Sequence, residues 1–258
     1  MYSVTKRISK VKQPRGGYVN KKALTATQFE DNISLNEKEN IHASLVGLVV
    51  DYMTRFMMGT PKKEAFSISI NGAMALDSWT EGKVELQNAL ALLKNIKGLD
   101  KDSIIAACKI VGYDVCYRAG IMGYKPVEEI NPDKSTIENI ITMINRSLVF
   151  WKKYGPITKD GFTFEGGYTD IISTGDGDYL TKDTLWDFKV SKTEPTTKHT
   201  LQILVYYLMG NHSIHTELFK DIKKLGLYNP RLNKMYTVEI NSIPEEVMNE
   251  VSHKIIGY

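Results

Sequence analysis

In WDFKVSK, Asp187 and Lys189 alternate with Trp186, Phe188 and Val190 inside a run that otherwise has the composition of a buried strand. Burying a carboxylate and an ammonium is costly unless each has a partner. Side chains on a strand alternate between faces, so Asp187 and Lys189 share one face and the apolar residues the other. Upstream, GGYTD supplies Asp170. A hairpin whose loop runs from about Gly175 to Asp183 sets Asp170 opposite Asp187, bringing two carboxylates and one amine onto one surface. Two adjacent carboxylates repel unless a cation or proton lies between them. Mg²⁺ suits such a pair, because it accepts one or two carboxylates with a backbone carbonyl and substrate phosphate oxygens. The lysine can orient the attacking water and offset charge developing on a phosphate.

A second polar set stands on KHTLQILVYYLMG, where Gln202 and Tyr206 are four apart and Lys198 lies one turn earlier. The rest of that helix is so apolar that it must be buried, which turns its polar stripe toward the same cleft. Asp178, in GDGDYL, rivals Asp170, although its glycine-rich surroundings suit a turn-capping role. Glu165 has the strand parity of Gly167 and Thr169, which places it on the face away from Asp170. An exposed edge-strand pair is the plainer account of Asp187 and Lys189. His42, His199, His212, His215 and His253 show no metal-ligand spacing, and His199 adjoins the polar stripe as a surface histidine or a phosphate contact. A glycosidase using Asp170 and Asp187 as acid and base is disfavoured by Lys189, since an adjacent ammonium favours the ionised carboxylate.

The elements that must position these residues differ between the two halves. ENIHASLVGLVVDYMTRFMMG (Glu39 to Gly59) has the pattern of a buried helix closed by a glycine. KVELQNALALLKNI, beginning at Lys83, and KDSIIAACKIVGYDVCYRAG have helical spacing, as does STIENIITMINRSLVFWKKYG, with Ser135 and Glu138 as its capping box. From Gly161 the composition turns to β-branched and aromatic residues, and the C-terminal hundred or so residues read β-β-α-α-β-α. The predicted elements there are a hairpin, a helix closed by Gly210, a helix near 212 to 225, a strand around MYTVEI and a last helix from Pro244. No internal repeat or linker divides the chain. The expected organisation is a basic arm over residues 1–25 and one domain over 26–258, helical over 39–155 with an α/β core over 156–258.

Composition sets the limits. The 258 residues, 42% hydrophobic and 24% charged, are enough to bury a substantial core. The first 25 carry seven basic residues and no acid, leaving the remainder at −4 against a whole-chain charge of +3; such an arm can neutralise phosphates or remain a solvated tail. No apolar run of about 18 residues and no secretion signal is present, which argues for a cytoplasmic protein without membrane contact. The two cysteines, Cys108 and Cys116, match no zinc or disulfide pattern.

GGYTD, WDFKVSK and QILVY, in that order, resemble the three motifs of the RecB-like nucleases of the PD-(D/E)XK superfamily: Gly-x-x-Asp, Asp-x-Lys on the next strand, and Gln-x-x-x-Tyr on the following helix. The likeness is greatest to the phage-type exonucleases of that group. It implies an α/β, restriction-endonuclease-like fold, a mixed β-sheet flanked by helices with a helical N-terminal half. It also implies a metal-dependent deoxyribonuclease, a phage or prophage exonuclease of recombination or repair, using Mg²⁺ or Mn²⁺. By the same resemblance Asp170, Asp187 and the Phe188 carbonyl are metal ligands, Lys189 is the catalytic lysine, and Gln202 and Tyr206 support the site and meet substrate phosphate, with Lys198 beside them. The family's histidine position is taken here by Asp51, four after Gly47, which serves as a further ligand or pairs with Arg55. With two cysteines no iron–sulfur cluster is expected, and without a GxxxxGK[ST] loop no ATP. The implied partner is DNA, with a recombination protein or a second copy of the chain as further candidates. The alternative is a nucleic-acid-binding or structural subunit that keeps the fold and does not cleave.

Overall fold

The structure is a computed structural model that describes residues 1–258 apart from Glu81 and Lys83. In chain order its elements are β1 (Tyr2–Ser3), α1 (Val4–Lys10), β2 (Thr25–Gln28), α2 (Ala43–Met57), α3 (Lys62–Ala65), α4 (Ser67–Thr80), α5 (Glu85–Asn95), α6 (Lys101–Ile110), α7 (Asp114–Arg118) and α8 (Lys134–Tyr154). There follow β3 (Ile157–Thr163), β4 (Ile172–Thr174), β5 (Asp176–Thr181), β6 (Thr184–Phe188), α9 (Thr197–Asn211), α10 (Thr216–Phe219), β7 (Lys224–Asn229), β8 (Lys234–Glu239) and α11 (Glu245–Glu250). The chain is mixed α/β and divides into two compact units, one of Met1–Glu30 with Phe150–Tyr258, the other of Asp31–Val149.

The second unit is helical, as its spacing predicts. α2 starts at Ala43, later than expected, where His42 Nδ1 accepts from Ser44 N, and it ends before Gly59, whose φ of +106° is left-handed. α8 is capped two residues earlier than predicted, by Asp133, which accepts from Thr136 N at 2.8 Å. The start of the predicted helix at Lys83 lies outside the described residues; α5 begins at Glu85. Within this unit Asp114 is buried and accepts from Tyr52 at 2.6 Å and from Ser69 at 2.5 Å. Burial raises the Asp114 carboxyl against these donors. Cys108 and Cys116 are free and buried, and burial pushes the Cys108 thiol up to about 12.

The first unit holds a mixed sheet of six strands among the described residues, in the order β2-β8-β7-β6-β5-β3. β6 and β7 run parallel, and the other neighbours are antiparallel. The parallel pair requires a crossover, which α9 and α10 supply. One face of the sheet packs its Leu180, Leu185, Leu225 and Leu227 under Leu201, Leu204, Val205 and Tyr206 of α9. The other face is aromatic, with Phe150 of α8 stacked on Tyr228 at 3.8 Å and edge-on to Trp186 at 5.0 Å.

Four expectations change here. β2 and β7 are strands: β7 takes only the last two residues of the helix predicted near 212 to 225, and α10, the helical part of that stretch, is only four residues long. KLGLYN is too short for its period to show, and its glycine is required because a Cβ on Gly226 would meet the Trp186 ring. Gly210 lies inside α9, leaving room for the ring of Phe219, and the helix is capped at His212. The basic N-terminal segment is part of the fold, since Val4, Ile8 and Val19 belong to the hydrophobic core while Lys6, Lys10 and Arg15 stay exposed. Gln13 Nε2 donates to Thr197 O at 3.1 Å, and Arg7 donates to the carbonyls of Lys254 and Ile255, which straps residues 1–19 to α9 and the C-terminus.

Candidate active site

β5 and β6 form a tight hairpin through Lys182 and Asp183, with Tyr179 opposite Trp186 and Leu180 opposite Leu185. Continuing that register by one step sets Asp178 opposite Asp187. Tyr179 and Trp186 belong to the aromatic face, so both carboxylates lie on the face covered by α9. The expected pairing of Asp170 with Asp187 is therefore replaced. Asp170 lies in an exposed bend between β3 and β4, and the loop assigned to residues 175–183 is largely the strand β5. The GGYTD segment has a packing role. A Cβ on Gly167 would collide with the carbonyl of Met209 near the end of α9, Gly167 O accepts from Tyr258 Oη, and Thr169 Oγ1 donates to Ile256 O at 2.5 Å.

Asp187 is 2% exposed. Lys189 Nζ donates to its Oδ1 at 2.9 Å and lies 2.8 Å from Oδ2, but Oδ2 receives no aligned donor and is left a buried acceptor without a hydrogen bond. The ion pair offsets much of the cost of burying the carboxylate, and its hydrogen bonding remains incomplete. Asp178 Oδ2 accepts from Phe188 N at 2.7 Å. A strand residue directs its N–H and C=O to the same side, so the Phe188 carbonyl also faces β5, where Asp178 stands. Lys189 N donates to Tyr228 O at 2.9 Å, which extends the β6–β7 ladder to the lysine.

Gln202 and Tyr206 are both buried, and Gln202 Nε2 donates to Tyr206 Oη at 2.8 Å. The phenol keeps its own O–H to donate. Burial first, then the charges of Asp187 and Asp178, hold Tyr206 well above its ordinary value, so it stays neutral. Its ring stacks on Phe164 at 4.9 Å. Lys198 is exposed on the first turn of α9. Glu165 is exposed in the loop after β3. Asp51 lies in the helical unit, where Arg55 engages it bidentately at 2.9 and 3.0 Å, which is one of the two roles expected for it.

Asp178, set below Asp170 by its glycine-rich surroundings, carries two signals in the sequence. Gly175-x-x-Asp178 repeats the spacing of Gly167-x-x-Asp170, and DGDYLT alternates as a strand does. Gly177 carries no side chain because a Cβ there would run into the Phe162 ring on β3, a strand-packing reason that resembles a turn signal in sequence.

Among the described residues no group of three or more His, Cys, Asp or Glu side chains is arranged to hold a metal ion. The donor set present is two carboxylates and a backbone carbonyl, with Asp187 Oδ2 lacking a donor. That set fits Mg²⁺, which keeps several waters and takes its remaining oxygens from substrate phosphate. No family model, curated protein or solved structure matches the chain.

Proposed function

We propose that the chain is a Mg²⁺-dependent deoxyribonuclease with a restriction-endonuclease-like core, an exonuclease of phage type acting in DNA recombination or repair. The observation that carries this reading is the buried Asp187 ion-paired with Lys189 on β6, beside Asp178 of β5 whose carboxylate accepts from Phe188 N, under a helix that presents Gln202 and Tyr206. Asp178 takes the ligand role that the motif resemblance gave to Asp170. Asp178, Asp187 and the Phe188 carbonyl would hold the metal, which supplies Lewis-acid polarisation of the phosphoryl oxygens and a more acidic bound water.

The residues of the chain do the rest. The Lys189 ammonium is held by Asp187 at the C-terminal end of β6, where it orients the attacking water and offsets the charge that grows on the phosphoryl oxygens. Tyr206, neutral and fixed by Gln202, keeps its O–H as a donor where the charges of Asp187 and Asp178 act on it, and the apolar packing of α9 limits water around it. No helix among the described residues is long and apolar enough to cross a membrane.

The test is cleavage of end-labelled linear DNA beside covalently closed circular DNA, by wild type and Asp187→Ala, in Mg²⁺, Mn²⁺ or EDTA. Metal-dependent loss of linear DNA alone, absent in the variant, is the expected result. No cleavage of either DNA would overturn the assignment in favour of a binding subunit, and cleavage undiminished in the variant would remove the site.

A further inference from the structure

We propose that His199 is a phosphate-binding residue, donating from Nε2–H to a non-bridging oxygen of the phosphodiester held at Asp178 and Asp187. This rests on the nuclease reading above. The topology brings the group there, because α9 begins only a short loop after β6 ends, so its first turn lies at the same edge of the sheet as Asp187 and Lys189. His199 precedes Gln202 by three residues and Tyr206 by seven, which sets all three on one stripe of the helix.

The ring is half-buried, and its Nδ1 accepts from Thr196 N at 3.3 Å, closing the N-terminus of α9. An accepting ring nitrogen carries no proton, so the neutral imidazole keeps its hydrogen on Nε2 as a donor. Burial first, then the Lys189 ammonium, holds His199 below its ordinary value, against the smaller opposite effect of Asp187. The charges of Lys189 and Asp187 both act on the ring, and the lowered value favours its uncharged form near neutral pH. Glutamate or glutamine is the usual residue at this place in a capped helix. A glutamate here would set a further negative charge beside Asp187, whereas histidine closes the helix and leaves a donor for an anion.

The experiment uses the full chain with His199→Gln and His199→Glu, both of which retain an acceptor for Thr196 N. Melting midpoints within about 2 °C of wild type are expected for both, since the cap is kept. His199→Gln, which also offers an N–H, should retain cleavage of linear DNA to within about tenfold, while His199→Glu should lose about a hundredfold in kcat. Anisotropy of a labelled linear duplex in EDTA should show weaker binding to His199→Glu than to His199→Gln. Wild-type cleavage and binding in both variants would leave the residue a helix cap and overturn the proposal, as would equal losses in both accompanied by a large fall in melting midpoint. Cleavage lost in Asp187→Ala but kept in His199→Glu would refute only the histidine assignment. A wild type that cleaves nothing would take the nuclease reading and this inference together.

Discussion

Replacing Asp178 and Asp170 separately tests the register of the hairpin and the chemistry assigned to it. Asp178 is half-buried and accepts from Phe188 N at 2.7 Å. Asp178→Ala leaves that N–H without its partner, a loss of about 1–2 kcal/mol, which in a chain of this size lowers the melting midpoint by roughly 2–6 °C. Asp178→Asn keeps a side-chain oxygen for the same N–H and should melt near wild type. Cleavage should separate from stability: both variants lose one of two facing carboxylates, and turnover should fall by at least about a hundredfold in each. Asp170 lies in an exposed bend, so Asp170→Ala should change stability by no more than about 0.5 kcal/mol and leave cleavage intact. The assays are thermal melting followed by circular dichroism, and single-turnover cleavage of end-labelled DNA in Mg²⁺. An inactive Asp170→Ala beside an active Asp178→Asn would refute the reasoning.

Two further predictions concern the frame. Ile8 is buried in the core of the first unit, so Ile8→Ala should cost about 2–4 kcal/mol, and deletion of residues 1–22 should lower the denaturant midpoint further; a truncated chain as stable as wild type would show that the strap is not part of the fold. Asp31 is held below its ordinary carboxyl value chiefly by its hydrogen bond from Arg146, at 2.5 Å. A lowered carboxyl stabilises the native state above the unfolded value and loses that contribution as pH falls through the folded one. The stability gap between wild type and Asp31→Asn should then narrow between about pH 6 and about pH 3 in urea titrations, and a constant gap would contradict the pairing.

Local pattern alone specified much of this protein. The alternation of WDFKVS places Asp187 and Lys189 on one face of β6, and the spacing of QILVY places Gln202 beside Tyr206 on α9, because both periods are properties of single elements. The helical character of α2, α4, α5, α6 and α8 is equally local. Tertiary structure decided which carboxylate faces Asp187. A one-residue change of register turns every side chain to the other face, and the length of a hairpin turn is poorly marked when glycines serve packing, as Gly177 does against Phe162. It also decided the fate of the basic N-terminus, whose charges are visible along the chain while the burial of Val4, Ile8 and Val19 depends on a surface built by residues some two hundred positions later. β7 belongs to the same class: KLGLYN becomes a strand because β6 and β8 stand ready on either side to take its hydrogen bonds.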